Sequence, residues 1–309
     1  MPLSSTDVLN AFDRIRVFQR GTQRAVHKPL LILLALSRIA QGLPRTMHFA
    51  EVEGKLRQLL AEFGPSSAPK TPHNPFWHLQ TDGLWRLEGP DSLLNRAPAA
   101  TPNLGELREP TVSAGFAPEV DAALRHDPAL RAQLAHQLLD AHFPDTLHGD
   151  ILQALGLDLS VTAPEAEGHT TTTRTVVRRD PAFRERVLRA YEYRCCVCGF
   201  DLRIGNISAG LEAAHIRWFQ AKGPDIEPNG LALCALHHKV FDLGAFTILP
   251  DTYSLVFSQH AVAGETSRHM LMGFHGAGII LPQSADYYPK PEFLKWHEGQ
   301  VFKRPGRSL

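Results

Sequence analysis

Two short pairs of metal-ligand residues constrain the C-terminal half of this chain more than any other feature. Cys195 and Cys198 form a C-x2-C pair, and Cys234 and His237 form a C-x2-H pair that begins 36 residues after Cys198. Each pair can present two ligands on one tight turn, and together they supply the tetrahedral Cys3His set that is typical of structural zinc. The remaining cysteine, Cys196, is expected to be a small core residue.

Length and cysteine usage favour a cytoplasmic protein of two domains. The chain has 309 residues, of which 43% are hydrophobic, which is enough for two separate cores. A disulfide scaffold would spread its cysteines more widely over a small secreted chain. The sequence contains no run near the roughly 20 apolar residues of a membrane span, and its N-terminus lacks the order of a secretion signal. We therefore expect no membrane partner.

Charge is distributed unevenly although the formal net charge is zero. Residues 1–109 carry 13 Lys/Arg against 10 Asp/Glu, residues 110–173 carry 2 against 9, and residues 174–309 carry 17 against 13. Two mildly basic segments therefore flank an acidic one. This distribution permits a polyanionic partner without demonstrating one.

The residues before 159 are predicted to be mainly helical. The stretch "HKPLLILLALSRIAQG" (27–42) predicts a core helix because apolar side chains nearly encircle it, and "FAEVEGKLRQLLAEFG" (49–64) predicts an amphipathic one. Residues 118–156 predict further helices with breaks at the prolines. Between them, "FWHLQTDGLWRL" (76–87) predicts a short hairpin with an Asp-Gly turn.

The stretch "LSVTAPEAEGHTTTTRTVV" (159–177) lacks apolar periodicity and predicts a linker between domains at 1–158 and 178–309. After it, "DPAFRERVLRAYEYR" predicts a helix capped by Asp180 with Pro181 at its first position. The tail "YYPKPEFLKWHEGQVFK" predicts a short amphipathic helix. The expected fold class is α+β, with a mainly helical N-terminal domain and a small zinc-containing C-terminal domain.

Three residues between and just after the two ligand pairs give the C-terminal domain a family resemblance. His215 lies in "LEAAHIRWF", Asn229 in "EPNGLALC" and His238 in "LHHKVFD". Together with the ligand pairs, these stretches resemble the HNH family of nucleases, which have a ββα-metal fold. The resemblance implies that His215 is the general base on the first strand, that Asn229 orients it, and that His238 binds a catalytic Mg²⁺ or Mn²⁺.

The chemistry of phosphodiester hydrolysis suits these assignments, since it needs a deprotonated water and a cation that neutralises charge on the phosphate. One position departs from the family pattern. Many members carry an acidic residue directly before the base histidine, whereas this chain has Ala214. Glu212 is a candidate helper in binding the metal.

The division into a zinc site and a catalytic site also explains why two histidines are adjacent in "LHHKVFD". Neighbouring side chains on a helix point about 100° apart, so both can hardly serve one site. We expect His237 to face the cysteines and His238 to face the strand that carries His215.

The N-terminal segments also carry a family resemblance. The stretches "RAVHKPLLILLAL", "FAEVEGKLRQLLAEFGP" and "HNPFWHLQTDGLWRL" resemble the sulfur-binding domain of phosphorothioate-DNA-dependent (type IV, McrA-like) restriction endonucleases. The resemblance implies a shallow apolar pocket for the sulfur atom beside basic residues that hold the phosphate. The implied DNA-binding residues are Arg24, His27, Lys28, Asn74, Pro75, His78 and Arg108.

The combined interpretation is a modification-dependent DNA endonuclease that reads phosphorothioate in double-stranded DNA and cuts nearby, as a restriction enzyme does. One alternative is an HNH enzyme that reads 5-methylcytosine, with Trp77 or Trp85 in an aromatic cage around a flipped base. Another is a zinc-stabilised DNA-binding protein without catalytic activity. A double-strand break by one nuclease centre per chain requires either a homodimer or two successive nicks, and the sequence leaves both open.

Overall fold

The computed structural model describes residues 4–15, 26–65, 71–159 and 180–309. Arg24 and the predicted linker from residue 160 onward lie outside the described residues. Below, the N-terminal part means the described residues up to 159, and the C-terminal part means residues 180–309.

Helices dominate the N-terminal part, as predicted. Those that the structure describes are α1 (Ser5–Asp13), α2 (His27–Ala40), α3 (Phe49–Phe63), α4 (His73–His78), α5 (Asp91–Leu94), α6 (Leu104–Arg108), α7 (Pro118–His126), α8 (Pro128–His142) and α9 (Asp145–Leu155).

The α2 helix is the centre of this part because nearly all its side chains from Pro29 to Ile39 are buried. Helices α3, α4, α7, α8 and α9 all pack against it or against each other around it. The predictions of a core helix at 27–42 and an amphipathic helix at 49–64 are confirmed. The proline-separated helices expected within 118–156 are also present.

A small antiparallel sheet completes the N-terminal part, and its pairing differs from the predicted hairpin. It contains β1 (Met47–His48), β2 (Trp85–Glu88) and β3 (Ser113–Phe116), with β3 in the middle. The strand after the Asp-Gly turn exists, but its partner is β3, with Trp85 opposite Phe116. The predicted first strand was wrong, because residues 73–78 form α4 and residues 79–82 a 3-10 turn.

Burial of two consecutive aromatic residues explains why α4 is a helix. Successive side chains of a strand point to opposite faces, yet Phe76 and Trp77 are both buried in the core. Phe76 packs edge-on against Phe49 and Trp85, while the Trp77 indole donates to the carbonyl of Pro98 at 2.9 Å. Tertiary packing therefore overrides the local strand preference of this segment.

The C-terminal part consists of short helices and two-stranded ribbons. Its helices are α10 (Phe183–Ala190), α11 (Ala235–Asp242), α12 (Glu265–Met270) and α13 (Pro291–Gln300). Its strands are β4 (Arg203–Ile204), β5 (Ile207–Ser208), β6 (Leu211–His215), β7 (Gly230–Cys234), β8 (Phe246–Ile248) and β9 (Leu255–Phe257). Helix α10 begins later than predicted, since Asp180 accepts from the backbone of Ala182 and the regular helix starts at Phe183.

The unit β6-β7-α11 gives the C-terminal part the expected ββα arrangement. Strands β6 and β7 are antiparallel, with His215 opposite Gly230 and Leu211 opposite Cys234. Helix α11 follows β7 without a loop, so Cys234 ends the strand and caps the helix. The α13 helix, predicted from the tail sequence, packs against β8.

The two parts are packed against each other. Trp218 and Trp296 contact one another edge-on, with ring centroids 6.1 Å apart, and both join the hydrophobic core of the N-terminal part. The Lys303 ammonium donates to the carbonyls of Ala61 and Glu62 at the end of α3. In the described residues no helix is long and apolar enough to cross a membrane.

A buried carboxylate in α3 leads to a test of stability. The Glu53 side chain is 11% exposed and accepts two hydrogen bonds from Arg108 and one from Arg57. The Arg108 hydrogen bonds lower the pKa of Glu53, against the opposing effect of burial. A carboxylate with a lowered pKa stabilises the fold above the unfolded-state pKa and loses this effect as the pH falls through the folded-state pKa.

We predict that Glu53→Gln lowers the free energy of unfolding by about 1–3 kcal/mol at pH 7. The difference from the wild type should shrink as the pH falls below about 4.5, the ordinary value for this carboxyl. Urea unfolding of the wild type and the variant at a series of pH values measures the difference in stability and its dependence on pH. Glu62→Gln, an exposed position of the same helix, should change stability by less than about 0.5 kcal/mol. A difference for Glu53→Gln that does not depend on pH would contradict the ion-pair account.

Candidate metal and active site

The two predicted ligand pairs meet in one cluster. The donor atoms of Cys195, Cys198, Cys234 and His237 all lie within 4.8 Å of one another, which can hold a metal ion. The His237 imidazole turns its Nδ1 towards the thiols, 3.1 Å from Sγ of Cys234 and 3.7 Å from Sγ of Cys195. Hydrogen bonds from Cys198 and Cys234 lower the pKa of Cys195, so the cluster already favours a thiolate.

Cys196 has a different environment from its neighbours, as predicted. Its side chain is completely buried in the core of the C-terminal part, and its backbone N–H donates to the carbonyl of Ala232 in β7 at 2.8 Å. Burial raises the pKa of its thiol, which keeps the group neutral. Cys196 therefore fastens the first ligand turn to β7.

The adjacent histidines of α11 face different surroundings. His237 is buried in the cysteine cluster, whereas His238 lies between two carboxylates. Its Nδ1 is 2.5 Å from Oε2 of Glu212 on β6, and its Nε2 is 3.2 Å from Oδ2 of Asp242, one turn along the same helix. The structure thus separates the two imidazoles as the helix geometry requires.

The carboxylates determine the charge of the His238 imidazole in the absence of a metal. Burial disfavours its charged form, but the negative charge and hydrogen bond of Asp242, with those of Glu212, outweigh burial and raise the pKa to about 10. Asp242 is itself only 3% exposed. The imidazole, Glu212 and Asp242 form one tightly coupled group beside β6.

His215 lies at the end of β6, where a hydrogen bond and a stacked ring hold its imidazole. Its Nε2 is 2.7 Å from Oδ1 of Asp225. Its ring stacks on Phe183 of α10, with centroids 4.1 Å apart and planes 16° apart. A hydrogen bond at one nitrogen and a stacked ring fix both the tautomer and the orientation of the imidazole.

Asn229 is completely buried and closes the loop after His215. Its amide oxygen accepts from the backbone N–H of Arg217 at 2.9 Å, and its amide nitrogen donates to the carbonyls of Arg217 and Pro224. The loop turns closely at Gly223, where a Cβ atom would lie 1.7 Å from the carbonyl oxygen of Arg217. Through this loop, Asn229 sets the position of Asp225 against His215.

These side chains line one cleft of about 490 Å³ between the two parts of the molecule. The C-terminal part contributes Glu212, His215, His238 and Asp242 among others. The N-terminal part contributes Pro144, Asp145 and Thr146, the residues that begin α9. The two predicted catalytic histidines therefore line one cleft, and Asn229 supports it through the loop that it closes.

Five of the residues predicted to bind DNA lie on α4 or at the start of α2, which pack together. Asn74, Pro75 and His78 belong to α4, and His27 and Lys28 open α2. The Lys28 ammonium is 2.5 Å from Oδ2 of Asp82.

The electrostatics of His78 connect these two elements. Burial, then the charge of Lys28, lowers the pKa of His78, whose Nε2 lies 2.9 Å from the hydroxyl of Thr101. Arg108 is the last residue of α6, and its guanidinium donates two hydrogen bonds to Glu53 of α3. The structure thus brings together the predicted residues of α2 and α4, and it places Arg108 on a neighbouring ion pair.

Both candidates for an aromatic cage are unsuited to that role. Trp77 and Trp85 are each 1% exposed. Trp85 packs edge-on against Phe76 and Phe116, and Trp77 is fixed by its bond to Pro98. A flipped base cannot stack on either indole without opening the core.

Sequence reasoning missed Asp242, which lines the cleft and contacts His238, and Asp225, which contacts His215. Asp242 carried a signal, because a residue four positions after His238 shares its helix face. Asp225 carried none, since its contact with His215 depends on the path of the loop that Asn229 closes.

Comparisons with known proteins agree with the two resemblances. A family model described as ScoMcrA-like, DNA sulfur-binding domain matches residues 5–160, about half of the chain. A second model, described as HNH endonuclease, matches residues 195–249. A comparison with curated proteins gives no match.

Solved structures with a likeness to the chain include two sulfur-binding domains complexed with phosphorothioated DNA. The domain of ScoMcrA is 25% identical with a TM-score of 0.42, and the match covers 48% of this chain and 94% of that one. The domain of SprMcrA is 23% identical with a TM-score of 0.43, covering 50% and 94%. The modification-dependent TagI restriction endonuclease is 24% identical with a TM-score of 0.29, covering 39% and 37%.

The contrast between Cys198 and Cys196 supplies a test of the metal cluster. We predict that Cys198→Ala removes one bound metal ion per chain because a tetrahedral site loses affinity with its fourth ligand. Cys196→Ala should keep the ion while lowering stability through the small cavity it creates. Elemental analysis of the purified full-length proteins measures the metal content. Equal loss of metal from both variants, or from neither, would contradict the assignment of the cluster.

Proposed function

Because the chain belongs to the ScoMcrA-like DNA sulfur-binding domain family and carries an HNH endonuclease domain, we propose that it cuts DNA bearing a phosphorothioate mark. The N-terminal domain reads the mark in double-stranded DNA, and the C-terminal domain hydrolyses a phosphodiester bond nearby. The observation that carries this proposal is the shared cleft, which His215 and His238 line together with Glu212 and Asp242, while Asp225 holds His215.

His215 is the general base of the proposed reaction. The Asp225 carboxylate accepts a hydrogen bond from the Nε2–H group, and Nδ1 is the nitrogen that takes a proton from the attacking water. The Phe183 ring holds the imidazole plane. Asn229 keeps the loop closed, and this fixes the Asp225 carboxylate in place.

The donors near His238 fit a catalytic divalent ion. The Glu212 carboxylate is 44% exposed and faces the same cleft as the imidazole. An oxygen donor beside an imidazole suits Mg²⁺ or Mn²⁺, which keep several waters and substrate oxygens in their coordination. When bound there, such an ion neutralises charge on the phosphate and on the departing oxygen.

The Cys3His cluster fits zinc. Three sulfur donors and one imidazole nitrogen in a largely buried site are the donor set of closed structural zinc centres. We assign this ion a structural role, in which it holds β7 and α11 against the turn at Cys195 and Cys198. In this proposal the protein uses Zn²⁺ for folding and Mg²⁺ or Mn²⁺ for hydrolysis.

The proposed reading of the mark depends on the softness of sulfur. A sulfur atom in place of a non-bridging phosphate oxygen is less strongly hydrated, so it loses less when it moves against apolar surface. We assign the buried Pro75 of α4, with the half-buried Asn74 and His78 beside it, to the proposed sulfur pocket. His27 and Lys28 hold the phosphate at the N-terminus of α2, where the helix dipole favours an anion. Arg24 and Arg108 are further proposed phosphate contacts, and Arg108 would reach DNA from its ion pair with Glu53.

The structure favours this account over the two alternatives. Buried Trp77 and Trp85 remove the aromatic cage on which a 5-methylcytosine reader depended. A pure binding module would have no use for two histidines held by carboxylates in a shared cleft. We propose that the enzyme restricts modified DNA in the cytoplasm, with domains at 1–158 and 178–309, and acts either as a homodimer or by two successive nicks.

The general-base assignment predicts a clean separation of cutting from binding. His215→Ala should lower the cleavage rate of phosphorothioate DNA by about 10²- to 10⁴-fold because the water loses its proton acceptor. Affinity for the same duplex, measured by gel shift, should stay within about twofold of the wild type. Loss of binding together with cleavage would contradict the division of labour between the domains.

The Asp225 contact predicts a graded effect. Asp225→Asn removes the anionic acceptor and should lower kcat by about tenfold or more at unchanged KM, since only the transition state needs the oriented imidazole. Single-turnover cleavage assays with saturating protein measure this rate. Asp201→Asn, an exposed acidic residue on the loop after the first ligand turn, serves as the matched control. Equal rates for wild type and Asp225→Asn would refute the orienting role.

A further inference from the structure

Helix α9 of the N-terminal part forms a wall of the cleft that contains His215 and His238. The helix starts at Asp145, directly at the cleft, and packs against α11, the helix that carries His238. It belongs to the segment matched by the sulfur-binding domain model. The segment that reads the mark and the nuclease centre are therefore in physical contact.

We propose that Thr146, at the start of α9, is a positioning residue of the nuclease centre, acting through Asp242 on His238. Its hydroxyl donates to Oδ2 of Asp242 at 2.5 Å. The same carboxylate oxygen lies 3.2 Å from Nε2 of His238. This inference rests on the proposed function, because it assigns Thr146 to the HNH centre.

The surroundings of Asp242 make the Thr146 hydroxyl important. The carboxylate is 3% exposed, so water cannot replace a lost donor easily. Its other oxygen, Oδ1, accepts from the indole of Trp218 at 3.0 Å. Trp218 and Thr146 thus hold the carboxylate from two sides, and the plane of the carboxylate sets the direction in which it meets His238.

A second contact fixes Thr146 itself. The ammonium of Lys239, the residue after His238, donates to the backbone carbonyl of Thr146 and to the carboxylate of Asp150. Consecutive residues of α11 are therefore tied to the first turns of α9, His238 through Asp242 and Lys239 directly. The position of His238 in the cleft and the position of α9 therefore depend on each other.

A merely structural role for Thr146 would have different consequences. If the threonine only helped to dock the two parts, any weakened contact between them would reduce cleavage. Lys303 supplies that comparison, because its ammonium docks the C-terminal segment onto α3 through the carbonyls of Ala61 and Glu62. Lys303 is not one of the residues that line the cleft.

The test compares the full-length, zinc-loaded variants Thr146→Val, Thr146→Ser and Lys303→Met. Valine keeps the shape of threonine without its hydroxyl, and Thr146→Ala provides a second hydroxyl-free variant if valine impairs folding. We expect kcat on phosphorothioate DNA to fall at least tenfold in Thr146→Val at unchanged KM. Thr146→Ser should recover to within threefold of the wild type, and Lys303→Met should keep the wild-type kcat.

Electron paramagnetic resonance of Mn²⁺, titrated into the protein without DNA, measures metal binding independently of turnover. Thr146→Val should weaken this binding at least fivefold, and Thr146→Ser should not. Unchanged kcat and Mn²⁺ binding in Thr146→Val would overturn the inference, as would equal losses in Thr146→Ser or Lys303→Met.

His238→Ala distinguishes failure of this inference from failure of the proposed function. If His238→Ala leaves Mn²⁺ binding intact, the proposed metal site is wrong and the inference fails with it. If His238→Ala abolishes binding while Thr146→Val does not change it, only the role of Thr146 is overturned.

Discussion

The convergence of Cys195, Cys198, Cys234 and His237 is the interaction on which the C-terminal part depends. Because Cys234 ends β7 and His237 lies in the first turn of α11, a metal held there fixes the angle between strand and helix. His238 is the next residue, so that angle also decides where its imidazole points. The C-terminal part has its own apolar core, but each of its ribbons has only two strands, and a bound metal would add to their stability.

The features that the sequence predicted well are those with local spacing. The ligand pairs, the encircled apolar pattern of α2 and the different directions of His237 and His238 all follow from short stretches of sequence. The predicted hairpin failed because tertiary contacts bury both aromatic residues: Phe76 packs on Phe49 and Trp85, and Trp77 donates to the carbonyl of Pro98. The roles of Asp225 and Thr146 could not be predicted from the sequence for the same reason. Loop closure brings Asp225 to His215, and packing between the two parts brings Thr146 to Asp242.

The geometry of the cleft connects recognition to hydrolysis. A nuclease joined to a reader by a linker alone would cut wherever the linker allowed. Here α9 forms part of the cleft wall, and Lys239 binds α9 directly. Contacts of this kind let the position of the N-terminal part influence the geometry around His238.

Dependence on the phosphorothioate mark is the central claim, and one binding titration tests it most directly. Full-length His215→Ala protein would be titrated by gel shift against matched duplexes that are unmodified, Rp-phosphorothioate or 5-methylcytosine. The account predicts at least tenfold tighter binding of the sulfur duplex, a difference of about 1.4 kcal/mol. Equal affinity for all three duplexes, or a preference for 5-methylcytosine, would contradict it.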